Sequence, residues 1–227
     1  MQALQNLEIF EIEVLQLLND TKILESLYFG GGTMLRLCHN LNRYSTDLDF
    51  WLDIKSDPKR IFSKLKESFS KVYTITDSAN KRNTLLFEIK SANYPRCLKI
   101  EIRKEQTNFD WERKIAFSKF TNKQVTVKGL TLQQMMKNKI EAFLSRKIIR
   151  DCFDIEFLFM RGIELPSDKI NLEAMLNIIE TFKDRDFKVS LGSILDEKDR
   201  KFYLENKFKL LREEIKSKII SERSAFR

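Results

Sequence analysis

The chain has 227 residues, a net charge of +8, and 42% hydrophobic, 11% aromatic and 33% charged residues. That apolar share excludes a disordered chain, while a mean hydropathy of -0.38 and the lack of any apolar run near the roughly 20 residues that span a bilayer describe a soluble protein with no membrane partner. The positive balance favours polyanions such as nucleic acid, although a lysine-rich surface can also serve solubility alone.

Leu4, Leu7, Phe10, Val14, Leu15 and Leu18 recur at helical spacing, which predicts an amphipathic helix over 3–18. The same segment carries Glu8, Glu11 and Glu13 and no early basic cluster, unlike a signal peptide, so the expected location is the cytoplasm. Residues 26–52 read as a strand, a glycine turn, a helix and a second strand. Asp57 and Pro58 mark the start of the next helix, which carries Ile61, Phe62, Leu65 and Phe69 to about Ser70. Stretches 72–76, 84–89 and 98–103 are β-branched and aromatic and predict strands, with Lys81, Arg82 and Asn83 as the turn between the first two. One more short strand is expected at 123–127, after which Thr131 and Gln134 make a capping box.

Only helical patterns follow: one long helix or two in succession over 131–160, and a helix after Pro166 and Ser167. Past a polar segment with Gly192 comes a last helix carrying Phe202, Leu204, Phe208, Leu211, Ile215 and Ile219, then a basic end expected to fray. Strands first and helices second predict an α+β fold, with one domain over 1–129 and a helical bundle over 130–227. Cys38, Cys97 and Cys152 are odd in number and widely spaced, which argues against a disulfide framework or a zinc site.

Gly30, Gly31 and Gly32 let the backbone turn sharply and approach a ligand closely. The N–H groups at the helix start and the hydroxyl of Thr33 are expected to face that ligand, whose negative charge the helix dipole favours. The pattern suits a phosphate cradle, or a tight turn that merely connects two elements. It lacks the lysine of a Walker loop and the glycine spacing of a dinucleotide fingerprint.

Asp47 and Asp49 share one face of the second strand while Leu48 and Phe50 take the other. At a separation of roughly 6 to 7 Å, their carboxylates can hold one magnesium (or manganese) ion or bridge two. The other reading is a solvated acidic edge, but the apolar Phe50, Trp51 and Leu52 make buried acids costly without a cation. A third carboxylate has to come from a neighbouring strand, Glu101 first and Glu88 second; Glu101 also fits a surface position of an amphipathic strand.

If the helix over 131–160 is continuous, Lys139, Arg146, Arg150 and Asp154 form one stripe opposite Ile140, Leu144, Ile148 and Ile155. Such a stripe is either a solvated face with ion pairs or a triphosphate site, with Lys139 and Arg146 on the phosphates and Asp154 holding one of them in place. The single histidine, His39, reads as incidental, and there is no nucleophile-and-base arrangement.

Three ordered blocks carry a resemblance: Gly31, Gly32, Thr33 and Leu35; Arg43, Ser45, Asp47, Leu48, Asp49 and Phe50; and Lys139, Ala142, Arg146, Arg150, Asp151 and Asp154. Together, from about Phe29 to Leu158, they resemble the AbiEii/AbiGii family of nucleotidyltransferase toxins, which includes the MenT toxins. The resemblance implies a minimal nucleotidyltransferase fold of the DNA polymerase β type, a mixed sheet flanked by helices, joined to a helical domain. It implies divalent-metal-dependent use of a nucleoside triphosphate (NTP), transfer to RNA, tRNA in studied members, and a cognate antitoxin that in some systems phosphorylates the toxin near its aspartates. It matches Gly31, Gly32 and Thr33 to the phosphate-binding motif, Asp47 and Asp49 to the metal pair, and Lys139 to the lysine expected on the triphosphate. Asp154 matches the late motif aspartate, and Ser45 the modifiable hydroxyl.

The expected activity is transfer of a nucleotide from an NTP to an RNA hydroxyl. Asp47, Asp49 and, as candidate third ligand, Glu101 would hold two ions while Lys139 and Arg146 offset phosphate charge. The competing class is a non-catalytic nucleic-acid- or antitoxin-binding protein that keeps the fold. From Gly162 onward the chain shows no motif of the family.

Overall fold

The computed structural model describes residues 1–105 and 108–225, with side chains as far as residue 221. Phe226 and Arg227, the end of the basic segment expected to fray, lie outside the described residues. Two compact units divide the chain, Met1–Thr131 and Leu132–Arg227.

In the first unit, α1 (Gln2–Asp20) leads to β1 (Leu27–Gly30), α2 (Gly31–His39), β2 (Asp47–Leu52) and α3 (Pro58–Ser70). Five strands follow: β3 (Thr74–Asn80), β4 (Thr84–Lys90), β5 (Leu98–Arg103), β6 (Trp111–Phe117) and β7 (Gln124–Leu130). All seven join one sheet in the order β3-β4-β5-β2-β1-β7-β6. It is a mixed sheet, since β2 runs parallel to β5 and β1 to β7 while the other neighbours are antiparallel.

Alternation along the strands separates two faces. Leu48, Phe50, Leu85, Phe87, Ile100 and Ile102 are fully buried, and Phe87 packs against Phe62 and Phe69 of α3 with ring centroids 4.9 and 5.4 Å away. Burying each such side chain contributes about 1.5–3 kcal/mol. The alternate positions Asp47, Asp49, Glu88, Lys99 and Glu101 are only partly buried, so the sheet presents its charged side chains on one face. Helix α3 starts where Asp57 and Pro58 predict, the Asp57 carboxylate accepting from the Lys59 N–H at 3.0 Å.

Three strand expectations need correction. The strand expected at 72–76 begins at Thr74, because the N–H groups of Val72 and Tyr73 are both bonded to the Phe69 carbonyl in the closing turn of α3. Strand β6 was not expected, and the strand expected at 123–127 runs on to Leu130 in β7.

The second unit is helical: α4 (Leu132–Arg146), α5 (Ile149–Met160), α6 (Lys169–Thr181), α7 (Glu197–Asn206) and α8 (Lys209–Ala225). Residues 131–160 form two helices, because Lys147 turns left-handed at φ 57° and Ile148 is extended. The expected single last helix is also two. Lys207 and Phe208 both have positive φ, and the reversal sends Phe208 inward against Phe187 at 5.5 Å and Tyr203 at 5.3 Å.

Candidate active site

The turn from β1 into α2 is where the glycines act. Gly31 has φ +74°, a conformation that side chains with a Cβ rarely adopt, and a Cβ there would collide with the Asp49 carboxylate. A Cβ at Gly32 would run into the Arg43 guanidinium and come within 2.9 Å of the Ser45 hydroxyl. The antiparallel register of β1 and β2, with Gly30 opposite Asp49, produces this fit. Two of the three blocks singled out in the sequence therefore interlock.

Thr33 departs from expectation. It is fully buried, and its hydroxyl donates to the main-chain carbonyl of Asp47 at 2.7 Å. It ties the first turn of α2 to the start of β2 and so positions Asp47, with its hydroxyl turned inward.

Strand β5 runs parallel to β2 with Lys99 beside Asp47 and Glu101 beside Asp49. In-register neighbours share a face, so these four side chains form one cluster. Glu101, expected as a third metal ligand, is ion-paired with Lys99. Lys99 carries no motif signal, and only the strand register reveals it. Its bond to Glu101, with Asp47 and Asp49 adding attraction, holds its ammonium above the ordinary lysine value. Glu88 lies beside Lys99 on β4 and accepts from the Thr76 hydroxyl at 2.7 Å.

Among the described residues, no three His, Cys, Asp or Glu side chains converge on a common metal position. Two carboxylates fit a magnesium ion nonetheless, since that ion commonly takes one or two and completes its shell with water and substrate phosphate. The absent Cβ of Gly31 is what makes room for one of the two.

Helices α1 and α2 carry a second polar cluster. Arg36 is ion-paired with Glu8, donates to the Leu41 carbonyl at 3.1 Å and lies 3.9 Å from the centre of the Tyr44 ring. Glu8 also accepts from the Ser118 hydroxyl at 2.6 Å. Glu11 is buried beside them, and its Oε1 has no hydrogen-bond partner. Burial first, then the charges of Glu8 and Asp47, push its carboxyl well above the usual range against the opposing pull of Arg36.

In the helical unit the expected continuous stripe does not exist, because α4 ends at Arg146 and the chain reverses at Lys147. The reversal builds an ion-pair network instead. Lys139 Nζ lies 2.6 Å from Asp154 and 3.4 Å from Asp151, and Arg146 meets both carboxylate oxygens of Asp151 at 2.9 Å. Asp154 holding Lys139 agrees with expectation. Asp151 was in the motif without a role, and it bridges the two cations. Lys139 is turned into this network with 10% of its side chain exposed, whereas Arg146 keeps 48%; Arg150 is exposed.

Residues 14–225 match the family described as "Nucleotidyl transferase AbiEii toxin, Type IV TA system". The chain belongs to this family. Solved structures share its fold at low identity. JHP933 from Helicobacter pylori is 18% identical with a TM-score of 0.52, over 100% of this chain and 99% of that one. MenT4, the nucleotidyltransferase toxin Rv2826c from Mycobacterium tuberculosis H37Rv, is 15% identical with a TM-score of 0.56, over 95% of this chain and 91% of that one. No curated protein sequence matches the chain. As an AbiEii protein it is a nucleotidyltransferase, the toxin of a type IV toxin–antitoxin system, with an NTP as substrate and an antitoxin as partner. Among the described residues no helix is long and apolar enough to cross a membrane.

Proposed function

We propose that this AbiEii protein moves a nucleotide from an NTP to a hydroxyl of RNA, most naturally tRNA, in the cytoplasm, with magnesium or manganese held by Asp47 and Asp49. The observation that supports this reading is the interlock of Gly31 with the Asp49 carboxylate, which joins a glycine-led helix start, a place that favours anions, to an acidic pair. Held by Asp47 and Asp49, a divalent cation would supply Lewis-acid chemistry for the acceptor hydroxyl and the departing pyrophosphate.

The chain's own residues do the rest. Gly31 and Gly32 bring the first backbone N–H groups of α2 beside the acids, where the helix dipole favours an anion. Arg43 and Ser45, packed against Gly32, set the width of that approach. In the helical unit Asp154 and Asp151 steady Lys139, and Arg146 keeps its guanidinium half exposed. Ser45 is the point at which the antitoxin acts in this reading. A phosphate there adds about -1.5 to -2 charges against the glycine turn and repels the nucleotide.

The test is incubation of the purified protein with magnesium, each labelled NTP in turn, and total tRNA. Label should appear on RNA and be lost in Asp47→Ala. Absence of any RNA product overturns the reading, and label on a lysate protein instead moves the acceptor from RNA to protein.

A further inference from the structure

We infer that Lys99 is a built-in counter-ion that reserves Glu101 and leaves the acidic pair to a single divalent cation. This rests on the proposed metal role of Asp47 and Asp49, and it changes the count of ions that the sequence suggests.

The argument starts from the β2–β5 register. Asp47, Asp49 and Glu101 bring three negative charges to one face of the sheet, and Lys99 brings one positive charge among them. Glu101 lies beside Asp49 in the strand register, but its carboxylate is paired with Lys99 two residues before it on the same strand. Glu88, the next acid across β5, is turned to Thr76. Among the described residues no third ligand joins the pair. An ammonium at this point offsets charge as a second ion would, yet it has no open coordination position for a reacting oxygen. Lys99 therefore fixes what the centre can hold: it keeps Glu101 occupied, so that Asp47 and Asp49 would hold one ion.

Titration with Mn²⁺ alone, followed by electron paramagnetic resonance, tests this without any turnover. The wild type should bind one Mn²⁺ at the acidic pair, lost in Asp49→Asn. Lys99→Met frees Glu101 and should bind two, with the first about tenfold tighter because the nearby positive charge is gone. Lys99→Arg should behave as wild type, and Lys99→Met combined with Glu101→Gln should return to one ion. Both side chains are partly exposed, at 43% and 30%, so these changes leave the fold in place, which melting curves check; Lys99→Gln serves as a second neutral variant. Two ions in the wild type, or a Lys99→Met protein with unchanged stoichiometry and affinity, overturns the inference. If the wild type binds no Mn²⁺, or Asp49→Asn still binds it, the metal reading of Asp47 and Asp49 fails first.

Discussion

Glu11 shows at the scale of one residue how the site shapes stability. Its carboxyl is buried beside Glu8 and Asp47, so the folded protein keeps the proton well above 4.5, the ordinary value expected in the unfolded chain. Between those two points folding takes up a proton. The contribution to stability is therefore complete below about pH 4.5 and declines as pH rises through the window above it, until the folded group also ionises. Glu11→Gln removes the charge that would form there. Melting temperatures from pH 4 to 8 should match at the acid end and diverge above it, the variant being the more stable at neutral pH; parallel curves would refute this. Glu11 reads in the sequence as one acid of an amphipathic helix, and nothing in its spacing shows that it is buried beside Glu8 within reach of the Asp47 charge. Lys99 and Thr33 were hidden likewise, one by strand register and the other by a hydroxyl turned to a backbone carbonyl. Gly31, Asp47 and Asp49 were legible because a glycine turn and an alternating acidic pair are local patterns.

At the scale of the element, the α4–α5 hairpin converts two helices into an ion-pair network. Lys139 lies between the carboxylates of Asp151 and Asp154, which are 5% and 0% exposed. Lys139→Met removes the ammonium 2.6 Å from the buried Asp154 carboxylate, while Asp151 keeps Arg146, and should cost about 3–5 kcal/mol of stability. Arg146 reaches solvent, so Arg146→Ala should cost no more than about 1 kcal/mol. Urea unfolding of the two variants side by side checks the contrast, and equal losses would mean that the buried carboxylates find another cation. Sequence patterns could not show this hairpin, since the residue that breaks the helix is a lysine in a left-handed conformation rather than glycine or proline. Strand β6 was invisible for another reason. It is an edge strand with the run Glu112, Arg113 and Lys114 at its centre, and Trp111, Ile115 and Phe117 are all exposed. It thus lacks the buried face that makes β5 so easy to read.

For the whole molecule, net charge is the property that bears on the acceptor. Lysine and arginine number 41 against 33 acids, which raises the local concentration of a polyanion before any specific contact forms. Each phosphate neutralised releases counterions, so log affinity falls with log salt at a slope of about -0.7 to -0.9 per contact. If tRNA makes about five such contacts, affinity should fall by roughly a hundredfold or more between 50 and 200 mM salt. On the proposed function, in which the acidic pair serves the nucleotide and the excess positive charge attracts the RNA, Asp49→Asn should bind tRNA with the same slope while losing transfer. Fluorescence anisotropy of labelled tRNA over that salt range measures both proteins under one condition. A flat salt dependence would remove net charge from the case for an RNA acceptor, and a changed slope in Asp49→Asn would mean that the acidic pair itself takes part in holding the RNA.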